Sequence, residues 1–194
     1  MDEQSKWQQF LHGSQQALSD IFLQYHDDLF RYGIKLTGNK EMVKDCIQDL
    51  FLKLWKNRSN LKVVQSVKPY LFKSLRNHLV DSLDLQKPSL PLNDETMSHL
   101  DIVYSHEDFL INDQVSADTR QQVIAALNKL TSRQREAIYL RYFEDLEFET
   151  IAQVMEMNVQ SVRNLLQRGM QIMRDLMLLQ PFLFMLGKSQ FLFS

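Results

Sequence analysis

Residues 145–174, DLEFETIAQVMEMNVQSVRNLLQRGMQIMR, constrain the fold more than any other part of the chain, because they scan as two helices joined by a tight turn. A short apolar helix centres on Thr150–Met155. A break falls at Glu156-Met157-Asn158, and a longer helix starts near Val159. Asn158 is a good N-cap, since its side-chain oxygen can accept from the free N–H groups of the next turn. Val162, Leu165, Leu166, Met170 and Met173 recur at helical spacing and form one apolar face. Gln160, Ser161, Arg163, Asn164, Gln167 and Arg168 lie off that face and are residue types that bond base edges and phosphates. Ala152 is small where two helices must cross. The spacing predicts a helix-turn-helix that binds DNA.

The rest of the chain is also helical in pattern. Ala17, Leu18, Ile21, Phe22, Tyr25, Leu29, Tyr32 and Leu36 keep one helical period. Gly38 suits a helix C-terminus and Asn39 the start of the next helix, which runs to about Lys56. Residues 57–68 read as a polar loop, and Pro69 suits the first turn of a third helix to about Leu83. Pro88, Pro91 and eight of the 24 Asp/Glu fall in 84–118, where cations are nearly absent. Helix resumes near Thr119–Lys129, and Thr131 with Gln134 forms a capping box for a helix to about Phe143. The expected fold is all-α, with two small helical domains joined by an acidic linker. The divisions are a 1–15 N-terminal extension, domains at 16–86 and 120–175, the linker 87–119, and a hydrophobic C-terminal tail, 176–194.

Charge supports this division. The chain has 194 residues and a net charge of −2. Residues 16–86 carry 11 Lys/Arg against 8 Asp/Glu, 87–119 carry 1 against 7, and 120–175 carry 8 against 7. Phosphate neutralisation dominates non-specific DNA affinity, so two weakly basic blocks predict poor duplex binding by the isolated chain. Cys46 is the only cysteine, so no internal disulfide forms, which fits a cytoplasmic protein. The opening MDEQSKWQQF has no basic segment followed by an apolar run and no run of about 20 apolar residues occurs, so neither a secretory signal nor a spanning helix is expected. The five histidines show no i, i+4 metal pair, no glycine-rich phosphate loop occurs, and nothing marks an acid–base couple. The expectation is a protein without catalytic residues, metal, cofactor or small-molecule substrate.

Two further patterns concern partners. On the 40–56 helix, Val43, Cys46, Ile47, Leu50, Phe51 and Leu54 supply a core stripe, while Asp45, Gln48, Asp49, Leu52 and Trp55 define another face. Large apolar anchors with a polar surround have the composition of a protein-binding face. Packing of Trp55 on the first helix or the following loop explains the pattern equally well. On the third helix, Lys68, Tyr70, Lys73, Arg76, Asn77 and His78 mix cations, amides and aromatics. Such a set can hold unstacked single-stranded bases, although composition alone favours a solvated basic face.

Together these pieces resemble a bacterial sigma factor of the extracytoplasmic-function type, within the sigma-70 family. DCIQDLFLKLW at 45–55 and VKPYLFKSLRNHLVD at 67–81 match its region two. LNKLTSRQREAIYLRYFEDLEFETIAQVMEMNVQSVRNLLQRGMQIMR at 127–174 matches its region four. The VRNLLQRG wording looks closest to Bacteroidetes-like versions. The resemblance implies that the 41–56 helix, through Asp45, Gln48, Asp49, Leu52 and Trp55, grips the coiled coil of the largest subunit of core RNA polymerase. It implies that 57–81, including the set from Lys68 to His78, captures the melted −10 strand. It also implies that the helix from Val159 reads −35 promoter DNA while the flap of the second-largest subunit holds the same domain.

Three departures stand out. Position 156 is usually Gly; Glu there costs about 1 kcal/mol if the backbone is left-handed. Position 150 is usually Glu and is Thr here. After Asp81 the usual basic run is replaced by SLDLQKPS. These departures imply weak unaided promoter opening and a need for a recruiting factor. The tail LMLLQPFLFMLGKSQFLFS suits packing on the C-terminal domain, docking of an anti-sigma factor or DNA-targeting recruiter, or, last because basic residues are scarce, contact with a membrane. The competing functions are a helix-turn-helix transcriptional activator, which would bind a palindrome unaided, and a sigma-like adaptor that no longer reads promoters.

Overall fold

The computed structural model describes residues 2–85, 100, 102, 104 and 117–176. Every regular element among them is helical. Helix α1 spans Glu3–Leu11, α2 Gln15–Thr37, α3 Lys40–Asn57 and α4 Val67–Leu85, with one 3-10 turn at Arg58–Asn60 after α3. Helix α5 spans Ala117–Leu127, α6 Ser132–Tyr142, α7 Phe148–Val154 and α8 Val159–Leu176.

Local sequence explains most of the boundaries. Ser14, Asn39 and Thr131 each accept from a backbone N–H in the first turn of the helix they open, satisfying donors that have no partner inside the helix. Thr131 and Gln134 complete the reciprocal capping box that their spacing predicts. Gly38 ends α2 at φ 65°, the left-handed conformation that glycine adopts without a side-chain clash, and its N–H bonds the Ile34 carbonyl.

Helices α1–α4 pack as an N-terminal bundle. Its core holds Ile21, Leu29, Leu36, Val43, Ile47, Leu54, Leu71, Leu75 and Leu79. At Gly33 an added Cβ would lie 2.6 Å from Val43 Cγ1, so a hydrogen there lets α2 and α3 meet closely. The 1–15 segment, set outside the first domain by sequence, forms α1. Trp7 and Phe10 are fully buried, and Trp7 Nε1 donates to the Lys62 carbonyl (3.2 Å), tying α1 to the α3–α4 loop. Trp7 also meets Phe10 and Tyr70 edge-on, at 5.1 and 5.4 Å between ring centroids. The indole therefore joins three parts of the bundle.

Helices α5–α8 form the C-terminal bundle, with Val123, Leu127, Ile138, Leu140, Ile151, Val154, Val162 and Met173 inside. Helix α8 lies on α6 and α7. A Cβ on Gly169 would stand 3.1 Å from Ile138 Cδ1, so α6 and α8 approach closely there. Within the segment read as linker, Leu100, Ile102 and Tyr104 are buried, and the Tyr104 hydroxyl donates to the Arg135 carbonyl (3.0 Å). The connector is therefore partly core. The tail beyond Leu176 and most of the acidic stretch lie outside the described residues.

The two bundles meet face to face, chiefly through α4 against α7. Helix α6 packs on α8 and also reaches the N-terminal bundle through Glu136. Every residue of α6 from Gln134 to Leu140 is buried, although its sequence contains Gln, Arg and Glu. Buried polar groups need partners, and α6 finds them on both sides. Arg135 Nη1 donates to the Leu130 and Asn128 carbonyls (2.7 and 3.1 Å). Glu136 turns toward the N-terminal bundle, where it accepts from Arg76 Nε (2.7 Å) and the Tyr32 hydroxyl (2.7 Å).

Candidate functional site

Three surfaces carry the residues singled out by sequence. The first is on α3. Its cap and helical period turn Val43, Ile47, Leu50 and Leu54 inward and leave Asp45, Gln48, Asp49 and Leu52 exposed, with Leu52 at 47%. Trp55 is half-buried. The Arg58 guanidinium lies 4.2 Å from its ring centroid and donates to its carbonyl (2.7 Å), which holds the indole at the end of the helix. An open groove of about 640 Å³ runs between α2 and α3, lined by Leu18, Phe22, His26, Phe51, Leu52 and Trp55. The α2 wall was not among the sequence candidates. Leu18 and Phe22 follow the same apolar period as the core of α2, so nothing in their spacing separates a groove wall from core.

The second surface is on α4, where the six candidates divide. Tyr70, Asn77 and His78 line a groove of about 250 Å³ between α3 and α4, together with Asn57, Leu61 and Lys53. Lys53 Nζ donates to His78 Nε2 (2.6 Å), and His78 Nδ1 faces the Cys46 carbonyl (3.3 Å), so the ring is fixed from both sides. Lys68, Lys73 and Arg76 turn toward the C-terminal bundle. Lys68 donates to the Glu144 carbonyl (3.2 Å) and lies 3.6 Å from Asp28. Lys73 pairs with Glu156 (2.8 Å), which also accepts from Asn77 Nδ2 (3.4 Å). Arg76 is 2% exposed and forms a two-armed pair with Glu136 (2.7 and 3.2 Å). Helical period alone did not separate a solvated basic face from one covered by the other bundle.

Electrostatics follow the burial. Burial works against the charge of Arg76, but the Glu136 carboxylate outweighs it and holds the guanidinium above its ordinary value. Burial pushes the Glu144 carboxyl up, and Arg31 and the Tyr139 hydroxyl partly offset the shift. Glu156 is held below the ordinary carboxylate value by its bond to Lys73.

The third surface is α8. Gln160, Arg163, Asn164, Gln167 and Arg168 are exposed, and Ser161 is half-exposed, while Val162, Leu166, Gly169 and Met173 face inward. Gln160 Nε2 donates to Asn164 Oδ1 (3.0 Å), and Arg163 lies over the Phe148 ring (5.4 Å). Asn158 Oδ1 accepts from the Ser161 N–H (2.7 Å), the cap read from sequence. Glu156 adopts φ 53°, so the position usually held by glycine is left-handed here. Asn158→Ala should lower stability by about 1 kcal/mol through loss of that cap; thermal unfolding of the full chain measures it.

Among the described residues no group of three His, Cys, Asp or Glu could hold a metal ion, and no helix is long and apolar enough to cross a membrane.

A helical bundle followed by a second bundle that carries a helix-turn-helix is the architecture of a DNA-binding transcription protein. Family models agree: sigma-70 region 2 matches residues 21–87 and sigma-70 region 4 matches 120–173, together more than half of the chain. The chain belongs to the sigma-70 family, as a factor of the extracytoplasmic-function type that directs RNA polymerase to promoters. It is similar to the ECF RNA polymerase sigma factor SigW of Bacillus subtilis (strain 168), with 23% identity over 171 residues, 84% of this chain and 89% of that protein. RNA polymerase sigma factor CarQ of Myxococcus xanthus is also 23% identical, covering 88% of this chain and 94% of its own. Among solved structures, CnrH in complex with the cytosolic domain of CnrY matches with a TM-score of 0.59 at 16% identity, over 90% of this chain and 96% of that one. The sigma factor RpoE of Bartonella quintana, in complex with the anti-sigma factor NepR, matches with a TM-score of 0.56 at 20% identity, over 84% and 97%. At these identities the structural likeness is one of fold.

Proposed function

We infer that the three surfaces divide the work of initiation. The α3 face, with Asp45, Gln48, Asp49, Leu52 and Trp55, grips the coiled coil of the largest polymerase subunit. The observation that carries this reading is the α2–α3 groove. Its surface is mostly apolar, with Gln15, Ser19, Lys44 and Gln48 also in the lining; it is open to solvent and includes Leu52 and Trp55, and a partner that covers such a patch removes its apolar surface from water. The α3–α4 groove, with Tyr70, Asn77 and His78, takes an unstacked base of the −10 strand; Tyr70 offers a ring to stack on and Asn77 an amide to read an edge. Lys68, Lys73 and Arg76 supply phosphate contacts beside it. Helix α8 enters the major groove at −35 with Gln160, Ser161, Arg163, Asn164, Gln167 and Arg168, and the flap of the second-largest subunit holds this bundle. Its workplace is the cytoplasm, beside polymerase.

The sparse cations of α4 and the strained Glu156 support a finer reading, in which opening is weak unaided. A DNA-targeting recruiter or activator then raises the local concentration, and an anti-sigma factor is a natural opponent. The likeness to Bacteroidetes-type factors rests on the VRNLLQRG wording alone. Run-off transcription by core polymerase plus the full chain, on promoters varied at each −10 and −35 position, tests these assignments. Substitutions facing α8 should change initiation by about 1–3 kcal/mol per base pair. Equal transcription from all promoter variants overturns the promoter-reading assignment, and strong initiation at physiological salt without a helper overturns the need for recruitment.

A further inference from the structure

We propose that α1 positions the −10 site: Glu3, Gln4 and Trp7 hold the loop 61–66 and the start of α4 in the shape that a captured base meets. The inference deepens the reading of the α3–α4 groove as the −10 base site and rests on it. Helix α1 lies ahead of residues 21–87, the part of the chain matched to region 2.

The loop between the 3-10 turn and α4 is irregular backbone, and such a segment has no regular ladder of its own to hold it. Its polar groups go to α1 instead. Trp7 Nε1 donates to the Lys62 carbonyl (3.2 Å), and Gln4 Nε2 donates to the Gln65 carbonyl (3.2 Å). The Val67 N–H, the first of α4, donates to Glu3 Oε1 (3.1 Å). The opening N–H groups of a helix have no partner inside it, and a carboxylate there also meets the positive end of the helix dipole. Glu3 thus caps α4 from 64 residues away. Glu3 is itself held, because the same Oε1 accepts from the Tyr25 hydroxyl of α2. Burial, together with the Glu3 bond, pushes that hydroxyl well above its ordinary value, so it keeps the proton it donates. Lys6 of α1 donates to Gln24 Oε1 (3.3 Å), and Gln24 Nε2 donates to the Tyr25 hydroxyl (3.0 Å), so α2 backs the same acceptor.

The braced segment bears on the groove at both ends. Leu61 lines it, and so does Tyr70 in the first turn of α4, whose ring Trp7 meets edge-on. Between them Lys62, Val63 and Gln65 stay exposed. The carbonyls of Lys62 and Gln65 are spent on α1 while the side chains remain outward, which fixes the loop without closing it to a strand. A base stacked on Tyr70 and read by Asn77 needs ring and amide at a set spacing, and recognition groups work only when held within about 0.5 Å of their productive geometry. Glu3, Gln4 and Trp7 are positioning residues in this sense: they act on the base through the loop and Tyr70.

The test pairs core polymerase with the full chain, wild type or variant, on a barcoded pool of promoters randomised at the −10 and −35 elements, and reads base preference at each position from the transcripts. Amide exchange over residues 61–67 of the same chains reports the loop. Glu3→Ala should cut −10 preference about tenfold, the weight of a hydrogen bond to a charged acceptor, speed exchange over 61–67, and leave −35 preference as in wild type. Glu3→Gln should restore both readouts, because the bonds from Val67 and Tyr25 run to one oxygen that an amide keeps. Gln4→Ala, at an exposed position, should move both readouts the same way by about threefold, and it keeps the test decisive if Glu3→Ala loses helicity by circular dichroism. Unchanged −10 preference in the folded alanine variants overturns the positioning role, whether or not exchange is faster. So does an equal loss of preference at −10 and −35, or a Glu3→Gln chain that behaves like Glu3→Ala. A wild-type chain without base preference at −10 instead removes the reading of the α3–α4 groove, and the proposal with it.

Discussion

Replacing both Leu52 and Trp55 by alanine should weaken binding to core polymerase about a hundredfold while leaving helical content at the wild-type level. The size follows from the groove. Leu52 and Trp55 are its large apolar rim, and central aromatic and aliphatic anchors carry most of the affinity of an interface. The fold should tolerate the change, because Leu52 is 47% exposed and the inward stripe of α3 is untouched. Loss of Trp55 also frees Arg58 from the ring it covers. A pull-down with purified core polymerase, paired with circular dichroism, measures both quantities. Retention of wild-type affinity would move the polymerase contact off α3.

Trp7→Ala should lower the unfolding free energy by about 3–5 kcal/mol, the range for truncating a buried aromatic. Trp7 is fully buried, packs edge-on against Phe10 and Tyr70, and spends its one donor on the Lys62 carbonyl. Alanine leaves a cavity and an unpaired carbonyl at one site, so the two costs fall together. Natural proteins hold only about 5–15 kcal/mol in total, so this single change removes a large share. Urea unfolding followed by circular dichroism gives the number; a loss under about 1 kcal/mol would mean that α1 contributes little to the bundle. Tyr70 also lines the α3–α4 groove, so the substitution should blur −10 recognition as well.

Much of the fold is legible in the sequence because its signals are local. Caps at Asn39, Thr131 and Asn158 depend on the residues just before and after them, and the structure has each in place. The apolar stripes of α2, α3 and α8 follow a 3.6-residue period that packing then obeys. Helix α1 is harder to read. Trp7 and Phe10 are its only buried residues, and two positions in nine residues make no clear stripe. Leu100, Ile102 and Tyr104 sit among acid and proline, so composition marks a linker while three of its side chains enter the core.

For the surfaces, the sequence names residue types and the tertiary structure decides their company. Residues 145–174 fix a helix-turn-helix with an outward polar row, since cap, period and turn chemistry all lie within that stretch. Two matters are left to packing. On α4, helical period places Lys68, Lys73 and Arg76 on the surface of their own bundle, where Lys68 meets Asp28, and the other bundle then brings Glu144, Glu156 and Glu136 against them. Residues 60 positions apart in the chain, Arg76 and Glu136, meet through no local rule. On α6, Gln134, Arg135 and Glu136 are all buried; Gln134 bonds Thr131 and Arg135 bonds the Asn128 and Leu130 carbonyls of their own bundle, whereas the other bundle brings Arg76 and Tyr32 to Glu136. Local propensity sets the helices, whereas the partner of a charge depends on which surface is brought against it.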